Sequence, residues 1–294
     1  MPIARSRVRR AAGAVVALGA LVPACGGSDD AGENSRLASV TTTTAPAEAA
    51  AGLSGTLQRS TLFETRRALL LEVRTDGGDD RVIGAVQLSS PLFEPVEPEV
   101  RDAVVPASGR PVAVPLPFGT AVCDAQTEAP AELVTDVDGE EVRVELEEVP
   151  GGILAALHDA ECAATAVFED VDIRLGDEWE QTAPRTVTGD IEVVQRRSGV
   201  TATVEDVAGN VIFSAGTTGD GPAALQVSDD VTSASTGLVV RAARCDPHAL
   251  TEYKRTFVLT ARVRVGDAEP VRVDLVAEGA ARRALEDLLT QCLD

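Results

Sequence analysis

The chain resembles itself, and this internal repeat constrains the fold more than any other feature of its 294 residues. Residues 123–126 (Cys-Asp-Ala-Gln) match residues 245–248 (Cys-Asp-Pro-His), and residues 142–146 match residues 271–275. Each copy then runs into an alanine- and leucine-rich stretch that ends in a further cysteine. The sequence therefore predicts two tandem homologous domains.

The N-terminus has the layout of a secretory signal. Four arginines lie between positions 5 and 10, and twelve small or apolar residues follow at 11–22. A charged segment, a short apolar segment and a small residue before the cleavage point are typical of an exported protein. The motif Val22-Pro23-Ala24-Cys25 then leads into glycine and serine. The apolar stretch is shorter than the ~20 residues needed to span a bilayer.

Residues 22–25 resemble the lipobox of bacterial lipoproteins, in which the cysteine is lipidated and becomes the new N-terminus. This resemblance covers about the first 28 residues only, and Pro23 departs from the usual lipobox pattern. It implies a signal peptide at 1–24, lipid attachment at Cys25 and a location on the extracytoplasmic face of the cell membrane. Residues 25–52 then form the anchor and a flexible tether, since they contain no core-forming periodicity.

Four further cysteines remain after Cys25 is assigned to lipid. An even number in an exported protein indicates disulfides, and four cysteines allow three pairings. The repeat selects the pairs Cys123–Cys162 and Cys245–Cys292. Each bridge would close a loop of about 40–48 residues, which is worth about 4 kcal/mol in the chain-entropy account.

Residue patterns in both copies are typical of β-strands, with one helix at the end of each copy. Charged residues alternate with valine and leucine at 142–146 and 271–275, the period of a half-buried strand. Helices are predicted near 151–161 and 277–291, and apolar residues of the second share one face. The other strand candidates are 69–73, 82–87, 165–175, 190–194, 199–204, 211–214, 238–244 and 256–265.

The predicted fold is mainly β (α+β), with two tandem duplicated β-sandwich-like domains at 53–177 and 186–294. Each domain would be closed by one C-terminal helix and one disulfide, and residues 177–184 would form the junction. An immunoglobulin-like sandwich is one candidate. No tryptophan lies between the paired cysteines to support that family, however.

Composition limits the partners that the chain can bind. The formal net charge is −21, and loss of the leader with its four arginines would make it −25. Such an acidic body is not expected to bind nucleic acid or an anionic lipid surface through electrostatics. Lys254 is the only lysine, a bias typical of a GC-rich genome. This bias favours an actinobacterial source, with a haloarchaeal source as the competing interpretation.

Few residues offer recognisable chemistry. The chain has two histidines, His158 and His248. Cys245, Asp246 and His248 could suggest a metal site, but zinc needs three or four ligands at compatible spacing and Cys245 is assigned to a disulfide. We expect Asp124 and Asp246 instead to accept backbone N–H groups in turns or helix caps.

No motif identifies an active site. Residues 136–141 (Asp-Val-Asp-Gly-Glu-Glu) lack the ligand pattern of a calcium loop and predict a hairpin turn. Nucleophile elbows, phosphate loops, dinucleotide fingerprints and zinc-protease motifs are absent from the sequence. The sequence therefore predicts no catalytic residue, no metal and no cofactor.

These observations favour a non-catalytic interaction module of the cell envelope. Its partner would be another envelope protein or a cell-wall component, met in a groove at the junction of the two domains. Trp179, Tyr253 and His248 are the candidate interaction residues. Two alternatives stay open: an envelope hydrolase with two carboxylates about 5–10 Å apart in a cleft, and a purely structural spacer.

Overall fold

The computed structural model describes residues 52–60, 66–125, 130–148, 152–218 and 225–292. Cys25, the predicted signal peptide and the predicted tether up to residue 51 lie outside these ranges. The described residues belong to one compact unit, Thr44–Asp294. None of their helices combines the length and the apolar character that crossing a membrane requires.

The first β region consists of seven strands in one sheet and the helix that follows them. The strands are β1 (Leu53–Gln58), β2 (Ala68–Thr75), β3 (Arg81–Ser89), β4 (Glu99–Val105), β5 (Val112–Pro117), β6 (Glu132–Val137) and β7 (Glu140–Glu148), and the helix is α1 (Ile153–Asp170). The strand order is β4-β3-β6-β7-β1-β2-β5. Neighbouring strands are antiparallel except β1 and β7, which are parallel.

This sheet curls over on itself. β2 and β3 are four strands apart in the order, which is about 19 Å in a flat sheet with strands about 4.8 Å apart. Leu71 of β2 and Ile83 of β3 are nevertheless fully buried in the same hydrophobic core. The two ends of the sheet therefore face each other across one core.

The second β region contains two sheets and two helices. Its strands are β8 (Val171–Leu175), β9 (Glu180–Ala183), β10 (Thr186–Gln195), β11 (Ala202–Ala208), β12 (Phe213–Thr217), β13 (Leu225–Val227), β14 (Ser233–Ala242), β15 (Val258–Val265) and β16 (Val271–Val276), and its helices are α2 (Pro247–Glu252) and α3 (Gly279–Thr290). The strand orders are β12-β14-β10-β8, with β9 added at β10, and β13-β11-β15-β16. A second core lies between these sheets and includes one face of α3.

The same set of antiparallel pairings recurs in both regions. The pairs β1·β2, β2·β5, β3·β4, β3·β6 and β6·β7 correspond in order to β8·β10, β10·β14, β11·β13, β11·β15 and β15·β16. Three pairings do not recur. β9·β10 and β12·β14 are found only in the second region, and β1 pairs with β7 whereas β8 and β16 belong to different sheets. Because β1 pairs with β7, the first region has one curled sheet. The second region lacks the equivalent pairing and has two sheets that face each other.

The structure contains the two disulfides that the repeat predicts. Cys123–Cys162 joins the segment after β5 to α1, and Cys245–Cys292 joins the segment after β14 to the end of α3. The two bridges therefore occupy equivalent positions relative to the recurring strand pairs.

The predicted strand at 165–175 is wrong over its first half. α1 continues to Asp170, and only Val171–Leu175 is a strand. The reason is tertiary packing: Val167 is buried in the second core with Phe168 packed against it, which outweighs the modest β preference of these residues. β8 follows α1 directly and pairs with β10, so it belongs to a sheet of the second β region.

Helix α1 contributes to both hydrophobic cores. Ile153 and Leu154 near its N-terminus are buried in the first core, and Val167 near its C-terminus is buried in the second. The helix also lies against β15 and β16. α1 is thus the element that connects the two β regions and borders the space between them.

Candidate functional site

A cleft of about 600 Å³ lies between the two β regions, alongside α1. This volume falls within the roughly 300–1,000 Å³ that is usual for ligand pockets. Its apolar wall includes Leu69, Phe118, Leu157 and Phe168. Its polar wall is dominated by arginine.

Four arginines line the cleft, two from each β region. Arg59 directly follows β1 and Arg67 directly precedes β2. Arg255 lies in the segment between α2 and β15, and Arg272 lies in β16. Glu161 and Asp274 are the acidic residues of the lining. Four guanidinium groups against two carboxylates make the cleft positive, although acids outnumber cations 47 to 26 in the whole chain.

Arg67 is held rigidly at the cleft. Its backbone lies in the left-handed region with φ 49°. Its Nη2 donates to the carbonyl oxygen of Gly119 at 2.5 Å and to Oε2 of Glu161 at 2.9 Å. Its guanidinium carbon lies 5.1 Å from the ring centroid of Phe118, within cation–π range. These contacts preorganise one side of the cleft.

The other three arginines differ in their pairing. Arg255 forms a close ion pair with Asp274, its neighbour in the lining. Arg59 and Arg272 are exposed and form no ion pair with another residue in the part of the chain that the structure describes. Among the described residues, no ion pair therefore offsets the positive charge of these two guanidinium groups.

Three residues of α1 fasten the helix to the segment after β5. Nε2 of His158 lies 3.0 Å from the carbonyl oxygen of Val122, Oε2 of Glu161 accepts from the backbone N–H of Ala121 at 3.3 Å, and Cys162 is bonded to Cys123. Positions 158, 161 and 162 share one helical face because residues three and four apart are neighbours on a helix. This fastening fixes the α1 side of the cleft.

His158 is buried, with 6% of its surface exposed. Because a carbonyl oxygen can only accept, Nε2 carries the proton and donates to Val122. This hydrogen bond raises the pKa of His158, and its contact with Asp159 raises it further, while burial acts in the opposite direction. His158 therefore supports the wall of the cleft; it is not among the residues that line it.

The two carboxylates of the cleft are each held by arginine. Glu161 pairs with Arg67 and Asp274 with Arg255. In the described ranges, no group of three His, Cys, Asp or Glu residues is placed to hold a metal ion.

The three candidate interaction residues do not line the cleft. Trp179 lies between β8 and β9, where its Nε1 donates to the carbonyl oxygen of Gly176 at 2.7 Å and its ring covers Gly189 of β10. His248 is exposed on α2, and Tyr253 follows that helix and packs against the second core. The role of these three residues in binding stays a prediction, and the groove at the junction has a different lining.

The expected turns are present where the structure describes them. Asp246 caps α2, since its Oδ1 accepts from the backbone N–H of Ala249 at 2.9 Å, and this bond lowers the pKa of Asp246. Asp138 and Gly139 form the β6–β7 hairpin turn, both with positive φ. Asp124 lies in a turn, but residues 126–129, whose backbone N–H groups its carboxylate is expected to accept from, lie outside the described ranges.

The sequence analysis does not identify the arginines of the cleft, although one signal points to them. Arg272 and Asp274 are the charged positions of the alternating strand 271–275, and both residues line the cleft.

Comparison with known proteins gives no family. No family model matches the chain, and no curated protein matches it. Among solved structures, red sea bream transglutaminase is similar over 76% of this chain and 31% of its own, at 11% identity and a TM-score of 0.22. A Porphyromonas gingivalis W83 protein of unknown function is similar over 76% of this chain and 98% of its own, at 15% identity and a TM-score of 0.22.

A third similar structure is the Amycolatopsis orientalis exo-chitosanase CsxA. It matches over 74% of this chain and 26% of its own, at 10% identity and a TM-score of 0.19. The chain thus spans about a third or less of the transglutaminase and the exo-chitosanase. Similarities with TM-scores this low carry no argument about the fold or the activity of this protein.

Proposed function

We propose that this chain is a non-catalytic binding module of the cell envelope, held on the extracytoplasmic face of the membrane by a lipid on Cys25. Its partner, another envelope component, would bind in the cleft between the two β regions. The observation that carries the proposal is the positive cleft itself, with four arginines in a chain of net charge −21. Four arginines gathered in one cleft of an otherwise acidic chain favour a role in binding a ligand of negative charge.

We propose also that the two β regions are copies of one immunoglobulin-like sandwich. The five recurring strand pairings support this, as do the equivalent positions of the two disulfides. Strand orders of the type β1-β2-β5 and β4-β3-β6-β7 correspond to the two sheets of that fold. A duplicated module would place the partner site where the copies meet.

The anchor is tested by mass spectrometry of the N-terminal peptide from membrane-bound protein. The expected peptide begins at Cys25 and carries the mass of a lipid, and Cys25→Ser should release the protein from the membrane. A chain that keeps residues 1–24, or that begins at another residue, would contradict the anchor.

The binding role is tested by photo-crosslinking on the membrane of the organism that encodes the chain. A photoreactive residue replaces Thr260, which lines the cleft on β15, or Thr188, a matched half-buried threonine on β10 outside the cleft. We expect a discrete crosslinked species from position 260 and none from position 188. Equal crosslinking from both positions, or none from either, would contradict binding in the cleft and favour the spacer or the hydrolase.

A further inference from the structure

We propose that the cleft binds a short acidic peptide segment of a partner protein, with its carboxylates on Arg59 and Arg272 and an apolar side chain against the apolar wall. This inference rests on the proposed binding function and specifies the chemistry of the occupant. It is carried by three features: the pairing state of the arginines, the mixed lining and the charge of the surrounding surface.

The ion pairs within the cleft indicate that its arginines bind carboxylate groups. Arg67 and Arg255 hold the carboxylates of Glu161 and Asp274. Arg59 and Arg272 have the same guanidinium group and no ion pair with a described residue. Guanidinium matches a planar carboxylate with two parallel hydrogen bonds, so an external carboxylate is the natural partner for each of them.

The lining calls for a ligand that is partly apolar. Leu69, Phe118, Leu157 and Phe168 form one wall of the cleft. A peptide that alternates acidic and apolar side chains can place a carboxylate on the arginines and bury an apolar group on this wall, because alternate side chains of an extended segment point in opposite directions. A cell-wall polymer of sugar and phosphate has no comparable apolar group.

The surrounding charge favours a short segment over a polyanion. The chain carries a net charge of −21, so the chain as a whole repels a long polyanion more strongly than a short segment with few charges. A short segment with a few carboxylates can bind to the arginines with little of this electrostatic repulsion. A volume of about 600 Å³ suits a few residues of peptide and is too small for a folded domain.

The proposal is tested by calorimetric titration of the mature chain with three probes. The first is a short capped peptide of alternating glutamate and leucine, the second is the same peptide with glutamine for glutamate, and the third is polyphosphate. We expect the acidic peptide to bind, its affinity to fall as sodium chloride is raised, and the glutamine peptide not to bind.

Two variants locate the binding. Arg272→Gln should weaken binding of the acidic peptide about tenfold or more, the usual effect of losing a hydrogen bond to a charged group. Arg283→Gln is the matched control, since Arg283 is exposed on α3 outside the cleft and its loss changes the net charge equally. It should leave the affinity unchanged.

Three results would overturn the proposal. The first is that the acidic peptide does not bind, and the second is that Arg272→Gln and Arg283→Gln bind it with equal affinity. The third is that polyphosphate binds more tightly than the acidic peptide and that Arg272→Gln abolishes this binding. If one of these occurs while position 260 still crosslinks to a partner on the membrane, the binding module stands and only the class of occupant is wrong. If crosslinking also fails, the proposed function fails with it.

Discussion

At the scale of single residues, the close contact between the indole of Trp179 and the backbone of Gly189 explains why glycine occupies position 189. Gly189 lies directly beneath the indole of Trp179, and a Cβ built on it would lie 2.4 Å from ring carbons Cδ2 and Cε2. The indole is anchored by its hydrogen bond to Gly176. Trp179 therefore makes a structural contact in the second β region, which the sequence analysis does not predict for this candidate interaction residue.

We expect Gly189→Ala to lower the free energy of unfolding by about 1–3 kcal/mol, the usual cost of overpacking. In a Trp179→Ala background the same change should cost much less, because the clash is gone. Gly216→Ala is the control, since nothing lies within 4 Å of its Cβ position. Urea unfolding followed by circular dichroism measures the wild type, the two single variants, the double variant and the control. Equal costs of Gly189→Ala in both backgrounds would contradict the contact.

His158 gives the fold a pH dependence. Its pKa in the folded state is raised above the ordinary value of 6.5, chiefly by the hydrogen bond to Val122. A raised pKa means that the folded state binds the proton more tightly than the unfolded state. The resulting stabilisation is complete below the ordinary pKa and is lost as pH rises through the folded pKa.

The free energy of unfolding should therefore fall as pH rises from about 6.5 through the raised pKa of His158. His158→Gln should remove this step, whereas His248→Gln, at the exposed histidine of α2, should retain it. Urea unfolding at a series of pH values makes the comparison. A step that persists in His158→Gln would assign it to another group.

At the scale of elements, α1 is the part that joins the two β regions. Its N-terminal end is packed in the first core and its C-terminal end in the second. Leu154 is 1% exposed and lies in the first core, whereas Trp179 packs against the second and is the only tryptophan of the chain. Tryptophan fluorescence therefore reports on the second region alone.

We expect Leu154→Ala to lower the free energy of unfolding by about 2–5 kcal/mol, the range for large buried residues. If α1 couples the regions, the fluorescence transition of Trp179 should shift as far as the circular dichroism transition does. Leu285→Ala, buried on α3 in the second core, is the matched control and should shift both signals. A fluorescence transition that Leu154→Ala leaves unmoved would show that the regions unfold separately.

The elements also show what the sequence can and cannot predict. Alternation at 271–275 and at 142–146 identified β16 and β7, because a half-buried strand has a period of two. The helix α3 followed from apolar residues on one face. The extension of α1 to Asp170 was missed, since it depends on packing in the second core and not on local preference.

Other strands gave no local signal. The sequence analysis does not predict β1, β4, β5, β6, β9 or β13. β5 contains two prolines at 115 and 117 that argue against a strand. The order of the strands was likewise beyond reach, because pairing joins residues far apart in the chain. The cleft depends on that order, so only its location at the junction was predicted and none of its lining.

At the scale of the whole molecule, charge is distributed unevenly. An acidic chain retains four arginines around one cleft, where two β regions that share five strand pairings meet along α1. In this account, repulsion by the acidic surface excludes polyanions and the cleft selects a short acidic segment. The anchor at Cys25 would hold this cleft close to the envelope proteins that it binds.

The most direct test of this account is the crosslinking yield from position 260 on the native membrane, compared between arginine variants. Arg59→Gln combined with Arg272→Gln should abolish or strongly reduce the crosslinked partner, because no unpaired guanidinium is left in the described lining of the cleft. Arg283→Gln should leave the yield unchanged. A yield from position 260 that does not depend on Arg59 and Arg272 would contradict the central claim that the arginine cleft is the binding site.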